Sequence, residues 1–417
     1  MLKEHENLTM AISTVVLGVV VGAGSLFLGV FLNLIEHVFL SFNENEFHPF
    51  AWTVSPTHRL LSVLIGGIIA AIVWWLMRTR MRPTVSIAKG IAGEEMPVWT
   101  TILHVMTQIF YVGTGGSVGR ELAPRELGAM ISQTWQRFLK RFHGVELSED
   151  DRKLLIAAAA GAGFAGVYIA PITGALFCLE ILYKKLTKRA VMVSLTMSVI
   201  AMLMGAILKG FRPYYAVGSG DFTLKSVVLV LIIGPVSGLA GAYFRKGFKW
   251  AGAKQTRNKN LLWQLPLVAL ITGLIAMHYP EIMGNGRALA QTALNNKSAS
   301  LVGIFLLGGL AKAVVTTFTL RAGAAGGALT PSISVGAVIG TAIGFGAGLF
   351  IPGVSLWQCG LLGASSLLAS SQQAPLMALF MIFEVSHLNY SALLPLAIGV
   401  SLAMLVSSWV LKPKNNA

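Results

Sequence analysis

The charged pair Arg120-Glu121 lies within the stretch Thr114 to Met130, TGGSVGRELAPRELGAM, between a glycine-rich approach and a proline. Residues of these types at this spacing suit reversible anion binding coupled to a proton. Gly115, Gly116 and Gly119 let the backbone bend and expose its amides, and Pro124 suits the first turn of a helix, where its missing N–H costs nothing. The stretch therefore predicts a helix start. Amides left over at such a start, with the positive end of the helix dipole, form an anion site. A carboxylate just ahead of it occupies the site when ionised and vacates it when protonated, so Glu121 would be both a competitor for the anion and a proton carrier. In an isolated stretch of a soluble protein the same residues would read as an ordinary capping carboxylate beside Arg120.

The elements that must position these residues are apolar. Over 417 residues the chain is 55% hydrophobic and 12% charged, with a mean hydropathy of +0.71, which excludes a soluble globule of average make-up and predicts an integral membrane protein. The formal net charge of +15 raises nucleic-acid binding as a function class. However, the basic residues fall in short clusters between apolar runs, with no basic domain or aromatic RNA-binding motif, so no nucleic-acid partner is expected. Cys178 and Cys359 lie in apolar stretches and give no disulfide framework or zinc spacing. Ser117 and Ser332 have no histidine partner in a nearby motif, and His104, His143 and His278 are scattered. These histidines read as interfacial or structural, and neither an enzyme, a metal nor a cofactor is expected. Trp74, Trp75 and Trp99 read as markers of the membrane edges.

The apolar run from about Thr9 to Leu32 is too long for a signal-peptide core and predicts a membrane helix. A second run, Leu60 to Met77, ends on Arg78, Arg80 and Arg82, which places that end in the cytoplasm, opposite the connection carrying Glu44 and Glu46. Three more basic clusters are expected inside: Lys140 with Arg141, Arg152 and Lys153; Lys184 to Arg189; and Arg245 to Lys259. The runs Val191 to Leu208, Val227 to Phe244 and Leu262 to Met277 alternate with outer connections at Arg212 to Lys225 and Tyr279 to Lys297. A multi-pass chain in the cell (inner) membrane follows, with both termini cytoplasmic. Val98 to Tyr111 and Leu329 to Leu349 are interrupted or flanked by glycines and predict broken helices. Their loose backbone must be buried in protein or line a water-filled path, where transporters place ion sites.

The sequence also repeats. Ala170-Pro171 leading to Phe177 and Glu180 is echoed by Ala374-Pro375 leading to Phe380 and Glu384. Gly119 to Pro124 is echoed by Gly326-Gly327-Ala328-Leu329-Thr330-Pro331 at nearly the same offset. Two membrane half-repeats, 1–209 and 210–417, with no separate soluble domain, are therefore predicted, and two helix starts can face one point.

A helical membrane chain with G-R-E and a nearby proline in one half and G-G-x-x-x-P in the other resembles the CLC family of anion channels and proton-coupled anion transporters, over essentially the whole chain. The resemblance implies an all-α integral membrane fold, a CLC-type inverted repeat with broken and re-entrant helices, in a homodimer whose subunits each have a pore. It implies that Glu121 is the gating glutamate, that Gly119, Arg120 and Leu122 surround the anion, and that Ala328, Leu329 and Thr330 coordinate it through backbone amides. It also implies the lipid bilayer, protons and a fluoride or chloride ion as partners.

Departures from the family pattern narrow the expectation. Gly119-Arg120-Glu121-Leu122-Ala123-Pro124 has its proline displaced by one residue, and with Arg125-Glu126-Leu127-Gly128 it resembles the fluoride-exporting branch. The chloride-binding serine falls on Val85, and a one-residue slip would restore Ser86. The inner proton-relay glutamate falls on Ile181, and the late pore tyrosine, expected after Lys412-Pro413, falls on Asn415. The sequence thus predicts a fluoride/proton antiporter, with a chloride/proton exchanger of the same fold and a passive anion channel as its rivals.

Overall fold

The computed structural model describes residues 2–412, apart from 46–48, 50, 144–145 and 297–301. Glu46, Lys297, Pro413 and Asn415 lie outside the described residues. In chain order the helices are α1 (Leu2–Leu40), α2 (Pro56–Arg80), α3 (Ile87–Ile91), α4 (Val98–Gly113), α5 (Leu122–His143), α6 (Glu149–Tyr168), α7 (Pro171–Leu176) and α8 (Lys188–Lys209). They continue as α9 (Leu224–Ala253), α10 (Leu261–His278), α11 (Arg287–Asn295), α12 (Val302–Arg321), α13 (Leu329–Gly348), α14 (Leu356–Gln372), α15 (Pro375–Val385) and α16 (Leu393–Leu411). Among the described residues the one strand-like pairing is a bridge between Gly119 and Gly327.

Eight of the described helices are long and apolar enough to cross a membrane, including α1, α2, α8, α9 and α10, where the sequence predicted spans. About 20 apolar residues rising about 1.5 Å each match the hydrocarbon thickness. Large apolar side chains on them, such as Phe27, Ile65 and Leu231, stay exposed on the protein surface, as lipid contact requires.

One expectation is corrected here. The run from Leu329 is an unbroken 20-residue helix, α13, and 72% of its apolar window is buried. Its glycines are contact points with α14: a Cβ at Gly340 would stand 2.0 Å from the Cys359 carbonyl oxygen, and one at Gly336 2.4 Å from that of Gly363. Small residues here let two backbones approach closely and do not break the helix. The break on this side precedes α13, at 322–328.

The chain forms two compact units, Met1–Leu34 with Val73–Phe110 and Arg120–Arg212, and Ile35–Ile72 with Tyr111–Gly119 and Pro213–Ala417. In the first unit, α6 starts on an acidic turn capped by Ser148, whose side chain accepts from the Asp151 amide, and is buried from Leu154 to Tyr168. The second unit buries Leu367, Val335 and Phe244 in one cluster and Val63, Ile282 and Val315 in another.

Each unit contains the same unusual joint. In the first, Ile169 closes α6 in the left-handed region (φ 56°, ψ 43°), Ala170 is extended (φ −131°, ψ 77°) and Pro171 starts α7. In the second, Gln373 closes α14 at φ 57°, ψ 44°, Ala374 lies at φ −143°, ψ 82°, and Pro375 starts α15. The left-handed cap ends one helix, the proline forces its predecessor out of the helical region, and the same proline is preorganised to begin the next helix. A left-handed isoleucine is a costly choice, and its recurrence as Gln373 in the same conformation gives the sequence echo a structural counterpart.

A candidate anion and proton site

The approach that precedes Glu121 in sequence, Tyr111–Gly119, belongs to the second unit. Gly115 takes φ +101°, which excludes an L side chain at little cost. The Ser62 hydroxyl donates to the Thr114 carbonyl at 2.9 Å, and the Gly284 amide donates to that of Gly115 at 3.0 Å. Gly119 and Gly327 then exchange N–H···O bonds of 2.9 and 2.8 Å. The amide of Gly119, expected to face an anion, is therefore committed to Gly327.

Behind this turn sits Lys312 of α12, fully buried, a residue the sequence reading did not single out. Its Nζ donates to Ser117 Oγ at 2.8 Å and to the carbonyls of Ile282 and Gly284 at 3.0 and 2.7 Å. These three neutral acceptors match the three ammonium protons and make a buried charge tolerable. One side chain thus ties α12, the turn before Glu121 and the loop after α10.

Past Gly327, α13 begins at Ala328, an N-cap that makes no side-chain cap bond. Leu329 and Thr330 are buried, and the Ser332 hydroxyl donates to the Ala328 carbonyl at 2.6 Å. Pro331 occupies the first turn, where its lack of an N–H is harmless. Positions 328–330 therefore form a helix start, half-buried at Ala328 and buried at Leu329 and Thr330, where the sequence predicted one.

In the first unit Arg120 is buried and Glu121 is fully so, directly ahead of α5 and its first residue, Leu122. A carboxylate in such a place is costly when ionised unless amides, cations or a bound ion compensate. The Arg125 guanidinium donates from Nε to the Glu121 carbonyl and lies 4.7 Å from the Phe177 ring centroid. Phe177 opens a π-helical turn, Phe177–Leu182, that continues α7 and includes Glu180 and Ile181. A Cβ at Gly163 would meet the Pro124 carbonyl oxygen at 2.1 Å, so α6 packs directly against the first turn of α5.

Val85 is half-buried and packs, as Leu122 does, against the apolar cluster of Ile87, Met96, Ala129 and Met130. Ser86 is exposed and is the N-cap of α3, its oxygen accepting from the Lys89 amide at 3.4 Å. The structure thus groups Val85 with Leu122 and gives the Ser86 hydroxyl a capping role.

Trp74 is buried in the first unit, edge-on to His104 with ring centroids 6.5 Å apart. The His104 Nδ1 lies 2.9 Å from Glu126 Oε2, and Gln108 Nε2 donates to the same oxygen at 2.7 Å. The second Arg-Glu-Leu, at 125–127, five residues after the first, marks Glu126 in the sequence but not its partner.

The family model described as voltage gated chloride channel matches residues 69–408. The voltage-gated ClC-type chloride channel ClcB of Salmonella typhimurium is 29% identical over 388 residues, 90% of each chain. Among solved structures, a slow cyanobacterial Cl-/H+ antiporter superposes with a TM-score of 0.80 at 21% identity, over 97% of this chain and 95% of that one. A CLC-type fluoride/proton antiporter superposes with a TM-score of 0.74 at 23% identity, over 96% and 95%.

Proposed function

We propose that this chain, which belongs to the voltage gated chloride channel family, exchanges an inorganic anion for protons across a membrane. The observation that carries the reading is a fully buried Glu121 at the start of α5, immediately after a turn bonded to Gly327 at the approach to α13. An ionised Glu121 competes with the anion for the amides of helix starts, and a protonated one withdraws and carries its proton. The residues expected around the anion are Arg120 and Leu122 beside Glu121, and the 328–330 amides. A channel needs no titratable competitor, and a transporter rather than an enzyme fits a chain whose buried carboxylate stands at a helix start.

The basic clusters at 78–82, 140–153, 184–189 and 245–259 support an orientation with those ends and both termini inside. We assign the chain to the inner membrane as a homodimer of independent pores, each built from the half-repeats 1–209 and 210–417. For the carried anion we take chloride, because the relative aligned over 90% of both chains is named a chloride channel. The shared fold does not choose, since chloride/proton and fluoride/proton antiporters both superpose on it. Fluoride is the second reading, favoured by Val85, whose apolar side chain offers the anion no hydroxyl, and by Ile181 in place of a relay carboxylate.

The test is efflux from proteoliposomes loaded with chloride or with fluoride, with external pH recorded. Chloride efflux accompanied by proton uptake supports the first reading, and efflux confined to fluoride supports the second. Efflux that leaves the pH unchanged for both anions overturns the exchange reading.

A further inference from the structure

A proton carried by Glu121 must leave it toward the inner solution, and the expected relay position holds Ile181. The first unit contains another buried protonatable group on the same helix. Helix α5 starts just after Glu121 and runs to the basic end at Lys140 and Arg141. Glu126 is five residues on, about 7.5 Å further along the axis toward that end. Helix α4 enters from the same end, because Glu95, ahead of its first turn, is ion-paired with Arg137 in the second half of α5. His104, six residues into α4, meets Glu126 between those points.

The pair is built to hold a proton. Glu126 and His104 are 7% and 8% exposed, so bulk water does not screen them. At 2.9 Å the imidazole Nδ1 either donates to an ionised Glu126 or accepts from a protonated one, so one proton can reside on either atom. Gln108 Nε2 fixes the shared carboxylate oxygen at 2.7 Å, and the indole of Trp74 on α2 covers the ring edge-on. Other charged and titratable groups around it are Arg125, in electrostatic reach of both Glu121 and Glu126, and Tyr168 of α6, in reach of Arg125. Arg125 also donates to the Glu121 carbonyl and so ties the neighbourhoods of the two carboxylates together.

We propose that the Glu126–His104 pair is the inner proton station of this transporter, standing in function where Ile181 stands in sequence. The step breaks the O–H bond of protonated Glu121 and forms an N–H or O–H bond on the pair, whose net charge rises from −1 to 0. The pair returns to −1 when it releases the proton toward the basic end of α5. This rests on the proton-exchange reading of Glu121.

The experiment compares protons moved per anion in proteoliposomes of wild type, Glu126→Gln, His104→Gln and Glu126→Asp. Both Gln variants should lower that ratio on the order of tenfold and flatten its dependence on inner pH, while Glu126→Asp restores part of it. Single replacements strand one member of the buried pair, so folding is checked in a second variant, His104→Leu with Glu126→Met. Replacing both members of a buried polar pair by apolar groups is often nearly neutral for stability. A monodisperse form of that double variant with the wild-type ratio and pH profile overturns the inference. Wild-type protein that moves no protons overturns it together with the exchange reading, whereas coupling that fails in Glu121→Gln but survives in the double variant sinks the inner station alone.

Discussion

Gly119 and Gly327, 208 positions apart, donate their amides to each other's carbonyls at 2.9 and 2.8 Å. Each lies just ahead of a helix, α5 or α13, whose first turn holds a proline at its third position, Pro124 or Pro331. The two glycine-rich approaches are thereby joined to each other through their backbones.

A branched side chain beside this bridge should part it. At Gly326 a Cβ would lie 2.4 Å from Val118 Cγ2 and 2.9 Å from the Gly119 carbonyl oxygen. Overpacking of this kind costs about 1–3 kcal/mol. Gly326→Val is expected to lower the melting temperature and to slow anion efflux several-fold; efflux at the wild-type rate from well-folded protein would separate the bridge from transport.

Lys312→Met removes the donor that satisfies Ser117, Ile282 and Gly284. Buried acceptors left unpaired cost about 1–3 kcal/mol each, offset in part by relief from burying a charge. A net loss of stability, read as a clear drop in melting temperature, is expected, with Lys312→Arg less affected if its larger head is accommodated. An unchanged melting temperature for Lys312→Met would show that the ammonium does not hold the turn.

Glu281, in the turn after α10, is buried, and burial pushes its carboxyl above the usual carboxylate range, more than the Trp52 contact and the charge of Arg59 pull it down. A folded-state value above the unfolded one contributes stability below the unfolded value and loses it as pH rises through the folded value. Glu281→Gln, which cannot ionise, should therefore melt higher than wild type at pH 8 and about equally at pH 4. A variant less stable at pH 8 than at pH 4, relative to wild type, would reverse the sign.

Much of the architecture was legible because membrane spans follow from length and apolarity, and because Ala-Pro joints recur with their spacing intact. The helix starts at Leu122 and Leu329 were marked by glycines and by Pro124 and Pro331. What local pattern could not reveal was partnership across the chain. Gly336 and Gly340 read as breaks, yet they are contact points, since a glycine's neighbour on another helix leaves no trace in its own flanks. Lys312 is a lone cation within an apolar run and is 195 residues from Ser117. His104 and Glu126 are 22 apart on separate helices, so neither periodicity nor motif spacing joins them.

The role of Glu121 is tested most directly by anion-driven proton movement in Glu121→Gln proteoliposomes. Glutamine keeps the size of the side chain but can neither release a proton nor present the competing charge. Proton movement should vanish while anion flux stalls or runs uncoupled. Proton pumping that persists at the wild-type ratio would contradict the account of Glu121 as gate and carrier.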